Sequence, residues 1–168
     1  MFTSNVDGHF QKSGFPEEQV MECHGSVNYL QCVTPCRSQI WMDNSLQIDV
    51  ELSSFRAKGT LPTCPYCGAL ARPNVLMFYD GHWVSNRMEE QMVLFERWLQ
   101  NILPQELVVI EFGAGKTVHS VRLLSEKVVR MKQGFLIRVN PREPEISVDG
   151  VEILMGAKQA IQAIQTSL

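Results

Sequence analysis

The sequence predicts an α/β fold built on a parallel sheet and interrupted by a small cysteine-bracketed module, an expectation that rests on three observations. Short apolar runs, LVVIEF (107–112), FLIRV (135–139) and VEILM (151–155), alternate with helical patterns, which is the order of strand–helix–strand units. Residues 87–103 carry Met88, Met92, Phe95, Leu99 and Ile102 at steps of three and four, the spacing of one helical face. Four of the five cysteines form two close pairs around a polar, proline-containing stretch.

Taken in order, MFTSNVDGHF reads as the end of a strand entering a loop, because small, polar and glycine residues follow Phe2. Residues 16–24 open with a proline and two glutamates, which suit the first turn of a helix ending near Gly25. Within the module, residues 46–52 alternate apolar and polar as an exposed strand does. LARPNVLMFYD (70–80) returns to the main body as a strand or extended segment, since Pro73 pushes Arg72 out of the helical region. Pro104 ends the 87–103 helix. The strand at 107–112 runs into the turn GAGKT (113–117), followed by a helix with Val121, Leu124, Val128 and Met131 on one face and Gly134 as its stop. The strand 135–139, the strand 151–155 and a closing helix over 157–164 then imply successive right-handed crossovers.

Composition narrows the function classes. With 168 residues, 45% hydrophobic and 20% charged, the chain has the balance of one soluble globular domain. Its net charge of −3 and pI of about 5.8 exclude a general basic surface, so no nucleic-acid partner is expected. The apolar run 107–110 is broken by Glu111 and nothing approaches a membrane span. The first residues lack the zones of a secretion signal. A cytoplasmic location is expected, and the oligomeric state is not legible.

The cysteine pairs CVTPC (Cys32, Cys36) and CPYC (Cys64, Cys67) have the spacing that brings sulfurs to one ion from a turn. Four thiolates leave no open coordination position, so the expected metal is one structural zinc that takes no part in chemistry. The fifth thiol, Cys23, adjoins His24; adjacent residues rarely face each other, and a buried free cysteine is the better reading than a nucleophile.

At this point the motifs agree in order with one family. TSNVDGHFQKSGF resembles the sirtuin motif Thr-Gln-Asn-Ile-Asp-Gly-Leu-His, and ECHGS resembles the segment bearing the sirtuin catalytic histidine. The cysteine pairs follow as they do there, and LARPNVLMFYD is similar to Arg-Pro-x-Val-Val-x-Phe-Gly-Glu. LVVIEFGAG, RVNPREP and LMGAKQAI resemble the strand and turn over the cofactor ribose, the Ile-Asn motif near the adenosine, and the final Gly-Asp turn and helix. The resemblance covers nearly the whole chain. It implies a Rossmann-like parallel sheet, N-terminally incomplete, over 1–27 and 71–168, with a zinc-binding module at 28–70.

The resemblance further implies an NAD-dependent protein-lysine deacetylase or deacylase, giving nicotinamide and acyl-ADP-ribose, whose partner is an acylated lysine of a protein. His24 would be the general base, a role that suits an imidazole because it titrates near neutrality. Asn5 and Asp7 would act at the nicotinamide end, with Ser4 on the same cofactor segment. Gly113, Ala114 and Gly115 would let the ribose approach the backbone, and Asn140 would bond near the adenosine. Leu76 and Phe78 would line the acyl-lysine tunnel. Read without the family, Asn5 and Asp7 would be turn residues and Phe78 ordinary core. His9, His82 and His119 match no catalytic position.

The departures are Ser4 for glutamine, His9 and Phe10 for Leu and His, and Tyr79 and Asp80 for Gly-Glu. Tyr79 is expected to narrow or reshape the tunnel. The strand, the Gly-Ala-Gly phosphate turn and the mobile loop with which sirtuins begin have no counterpart before Met1. This motivates the competing expectation of a non-catalytic, zinc-stabilised remnant or binding protein, with an exposed apolar sheet edge and face. GAGKT is not an ATPase loop: GxxxxGKT would need glycine at 110, where Ile110 stands, and Glu111 would face the phosphate.

Overall fold

The computed structural model describes residues 1–43 and 46–167; Asn44 and Ser45, inside the expected 28–70 module, lie outside the described residues. The chain forms two compact units, Met1–Phe95 and Glu96–Leu168.

In the first unit, strand β1 (Phe2–Thr3) pairs in parallel with β2 (Met21–Glu22), Phe2 opposite Met21. The amides of Met21 and Cys23 donate to the carbonyls of Met1 and Thr3 at 2.8 and 3.0 Å. The helix expected over 16–24 is therefore not formed: a single 3-10 turn at Glu17–Gln19 gives way to extended backbone at Val20. Tertiary burial overrides the local helix signals, because pairing with β1 leaves Val20 and Met21 almost fully enclosed. Between the strands lies one helical turn, α1 (His9–Lys12), which the sequence did not announce.

Strand β3 (Gly25–Cys32) starts before residue 28 and forms the middle of an antiparallel sheet, flanked by β4 (Trp41–Met42) and β7 (Ala71–Val75). Its register against β7 shifts between Ser26 and Leu30. The alternating stretch at 46–52 supplies only β5 (Asp49–Glu51), which forms a hairpin with β6 (Arg56–Lys58). Two buried amides bind this unit. Gln31 Oε1 accepts hydrogen bonds from Asn74 Nδ2 at 2.9 Å and from the Val84 amide at 3.0 Å. Asn74 Nδ2 also donates to the Val84 carbonyl, and Gln31 Nε2 to the His82 carbonyl at 2.7 Å.

Helix α2 (Asn86–Gln100) matches the expected helix, ending short of 103. Its Arg87 pairs with the buried Glu22 carboxylate at 2.6 Å and stacks 4.3 Å over the Tyr29 ring, while Gln91 Oε1 accepts the Glu22 amide at 3.0 Å.

The second unit holds β8 (Val108–Phe112), α3 (Ser120–Lys132), β9 (Phe135–Val139), β10 (Gly150–Ile153) and α4 (Ala157–Ser167). The strands form a parallel sheet in the order β10-β9-β8, as the apolar runs predict. The first step is strand, helix, strand; the second passes from β9 to β10 without a helix. Gly134 is required where α3 turns into β9, since a Cβ there would lie 2.4 Å from the Leu107 carbonyl oxygen. β8 is an edge strand whose Val108, Ile110 and Phe112 are exposed, in keeping with the expected apolar edge.

The buried stripe of α3 differs from the expected one. Arg122, Ser125, Val128 and Val129 face inward, whereas Met131 is exposed. Arg122 tolerates burial because its guanidinium donates to three carbonyls, those of Ala114, Glu143 and Glu145, at 2.7 to 3.1 Å. Glu111, whose charge speaks against a phosphate loop, is buried against Arg138, Nη2 to Oε2 at 3.0 Å, and Arg138 also reaches Glu126 at 3.1 Å.

Removing one partner of a buried pair leaves the other charge uncompensated. Arg138→Met is expected to destabilise the fold by about 3–5 kcal/mol in urea titration. Adding Glu111→Leu should recover much of that loss, because the stranded carboxylate disappears.

Candidate functional site

Parallel strands end on one side, so the loops that leave them gather there; in open α/β sheets ligands bind outside those carboxyl ends. In the first unit, β1 ends at Thr3 and releases Ser4, Asn5, Val6, Asp7 and Gly8, while β2 ends at Glu22 and releases Cys23 and His24. The Asn5 amide donates to Thr3 Oγ1 at 3.0 Å, and the Val27 amide to the Val6 carbonyl at 2.8 Å, which lays this loop along the start of β3. Asp7 Oδ1 accepts the His9 amide at 3.0 Å and Oδ2 lies 3.5 Å from His9 Nδ1. Asp7 thus holds the entry to α1, with Gly8 at φ 66 allowing the turn. Ser4 is half-buried and the Asn5 side chain exposed.

His24 is half-buried and its carbonyl accepts the Leu76 amide at 2.9 Å. Gly25 behind it has φ 81, and a Cβ there would sit 2.0 Å from the Asn74 carbonyl oxygen. No other residue fits, so the imidazole is carried on a backbone with little freedom. Cys23 is buried enough to push its thiol up to about 11, which keeps it protonated and removes the nucleophile reading.

Leu76 and Phe78 lie on the segment between β7 and Val84. Arg72 grips Asp80 with Nη2 at 2.9 and 2.7 Å from its two oxygens, and donates from Nη1 to the Val75 carbonyl at 3.2 Å. Burial would raise the Asp80 carboxyl, but the Arg72 guanidinium and the amides of Met77 and His82 outweigh it and hold it below its ordinary 3.8. Phe78 is exposed and so is not core.

In the second unit, Gly113, Ala114 and Gly115 follow β8 and Asn140 follows β9, again at carboxyl ends. Gly113 has φ 66 with open space where a side chain would stand. Asn140 Nδ2 donates to the Ala114 carbonyl at 3.0 Å, and its Oδ1 accepts the amides of Arg142 and Glu143 at 2.9 and 3.0 Å. Asn140 is therefore the latch of the turn. The Lys116 amide is satisfied by Glu143 Oε2 at 2.9 Å.

The four cysteines converge. Cys32 and Cys67 sulfurs are 3.7 Å apart, as are those of Cys36 and Cys64, and all four lie within 4.8 Å of one another. Zinc–sulfur bonds of about 2.3 Å place tetrahedral sulfurs about 3.8 Å apart, so the quartet fits one zinc ion. Cys32 closes β3 and His24 precedes its start, an eight-residue strand apart, or roughly 26 Å at most at about 3.3 Å per residue. An ion there braces the lobe and stays outside any reaction at His24.

Sequence reasoning missed the residues that set these positions: Gln31, Asn74, Arg87, Arg122 and the Arg72–Asp80 pair. The usable signal was a long polar side chain at an inward place in a strand, as with Gln31 in NYLQC and Arg138 in FLIRV.

Compared with known proteins, residues 1–104 match the model of the Sir2 family. The chain is 29% identical, over 82% of its length and 25% of the relative's, to a probable bifunctional ADP-ribose hydrolase/ADP-ribosyltransferase of Fusarium oxysporum f. sp. cubense. It is 29% identical to the NAD-dependent protein deacylase 2 of Pseudomonas syringae pv. tomato, covering 88% of this chain and 52% of that one. With the NAD-dependent protein deacetylase of Saccharolobus solfataricus the identity is 32%, over 85% of this chain and 49% of the relative. The chain thus spans about half the length of these two relatives. Among solved structures, a sirtuin studied for the structural basis of its substrate affinity aligns with TM-score 0.67 at 22% identity, over 99% of this chain and 60% of that one. A Sir2 bound to a p53 peptide and NAD+ aligns with TM-score 0.66 at 24% identity, over 99% and 61%. These likenesses show a shared fold.

Two outcomes are expected. Purified protein should carry about one zinc ion per chain, read by elemental analysis; chelation or acidification, which protonates the thiolates, should release it and lower the melting temperature. Asp80 has a depressed folded pKa, so its contribution is complete above the unfolded value of 3.8 and fades as pH falls through the lower folded one. Asp80→Asn should therefore raise amide exchange over 76–82, corrected for intrinsic rate, by a constant factor over the parent from neutral pH down to 3.8. Below it the factor should shrink towards one, as the parent's own carboxyl becomes protonated.

Proposed function

The chain belongs to the Sir2 family, and from that premise we propose that it carries the histidine-bearing and metal-binding part of an NAD-dependent protein-lysine deacylase. The reaction would yield nicotinamide, free lysine and acyl-ADP-ribose. The observation that carries this reading is the shared origin of Asn5, Asp7 and His24 at the carboxyl ends of the paired strands β1 and β2.

NAD, when bound, supplies an anomeric carbon that loses nicotinamide and accepts the acyl oxygen. His24 would take the proton from the ribose hydroxyl, and its backbone is held for that task by Gly25 and the Leu76 amide. Asn5, exposed at the strand end, and Asp7, fixed by the His9 amide, would orient the nicotinamide end. The bare turn at Gly113 leaves room for a ribose against the backbone, and Asn140 keeps that turn in shape through the Ala114 carbonyl. Leu76 and Phe78 would meet the acylated lysine of the protein substrate. The zinc ion would hold the cysteine lobe and take no step.

A second reading follows from the Fusarium relative, whose name includes ADP-ribosyltransferase: the same cleavage of NAD with transfer of ADP-ribose to the protein acceptor. Both readings share nicotinamide release and differ in the fate of the peptide.

The full chain incubated with NAD and an acetyl-lysine peptide should release nicotinamide while the peptide loses the mass of its acetyl group. His24→Ala should lower the rate at least about a hundredfold, the usual scale for a general base. A peptide that gains the mass of ADP-ribose would favour the transferase reading. No release at all, or release indifferent to His24→Ala, would sink both and leave a zinc-stabilised binding protein.

A further inference from the structure

Tyr79 has a backbone φ of 58, a left-handed conformation that strains an aromatic residue. Its ring is fully exposed, at 106% of the reference area, and is covered by none of the described residues. Met77 and Phe78 beside it are 60% and 85% exposed. On a loose loop such a tip would carry little meaning, but this one is pinned. Leu76 donates to the His24 carbonyl, Asp80 is gripped by Arg72 and accepts the Met77 and His82 amides, and Val84 is fastened to Gln31 and Asn74. Residues 76–79 carry no charge, and the one carboxylate of the segment is already paired.

We infer that Tyr79, with Met77 beside it, is a specificity-determining residue that selects acylated peptides carrying a large apolar side chain next to the acyl-lysine. The inference rests on the deacylase reading above. An apolar surface held in place binds an apolar side chain without an ordering cost at the moment of contact. A charged flanking residue would lose hydration there and find no partner. Phe55 shares the left-handed backbone and the exposure; what sets Tyr79 apart is that its strain sits on a segment pinned on both sides.

The test uses the full chain and four acetyl-lysine peptides that differ only in the flanking residue, Phe, Leu, Gly or Glu, titrated calorimetrically with and without NAD. The Phe and Leu peptides should bind about tenfold more tightly than the Gly and Glu peptides, the scale of one buried apolar side chain. Tyr79→Gly and Tyr79→Asn both suit the left-handed backbone, so melting temperatures should stay within a few degrees of the parent while the preference shrinks to about twofold or less. Equal affinity of the parent for all four peptides, or a preference that survives both substitutions, overturns the inference and spares the deacylase reading. No binding of any acetylated peptide overturns both.

Discussion

The pairing of β3 with β7 is the constraint on which the first unit depends. β3 begins at Gly25, immediately after His24, and ends at Cys32, the first metal ligand; β7 begins just after the second cysteine pair and leads into Leu76. One antiparallel ladder therefore fixes the imidazole at one end and the roots of the metal lobe at the other. Its lock is the buried amide pair of Gln31 and Asn74, whose hydrogen bonds reach the segment at His82 and Val84. Buried polar groups are tolerated only when satisfied, and a fully satisfied pair specifies a single arrangement more sharply than an apolar contact of the same size. The zinc site then acts as the distal fastening of the same ladder.

The second unit solves a parallel problem with charge. The turn after β8 must offer bare backbone at Gly113, so little side-chain mass is available to hold it. Arg122 and Asn140 supply the support from beneath, both donating to the Ala114 carbonyl. Arg138 of β9 and Glu111 of β8 neutralise each other across the strand pair, and Glu126 of α3 adds a second carboxylate. Such pairs add little net stability over apolar packing, but breaking one is costly, so they hold the turn to one geometry.

The elements of the second unit were legible in the sequence because periodicity decides them. Apolar runs of about five residues and a helix closed by Gly134 leave few alternatives, and the cysteine spacing alone marks the metal lobe. What the sequence withheld were outcomes of long-range contact. Residues 16–24 have the caps of a helix, yet Met21 and Glu22 are pulled into a parallel strand by Phe2 and Thr3. The inward face of α3 was misread because Arg122 behaves as a core residue once three carbonyls surround its guanidinium. Glu111 was read as an obstacle to phosphate because its partner, Arg138, stands far along the chain. The motif that points to Asn140 gives no sign that its side chain also holds the turn, through the Ala114 carbonyl and the amides of Arg142 and Glu143.

The protonated state of Cys23 has a consequence for how the molecule meets oxidants and electrophiles. With its thiol pushed up to about 11 by burial, the reactive thiolate is on the order of one part in ten thousand near neutral pH. Alkylating reagents and peroxide should pass this sulfur by, although it adjoins the histidine. Among the cysteines, such chemistry is thereby left to the metal-binding quartet, so the susceptibility of the thiols is set by how tightly an ion is held there.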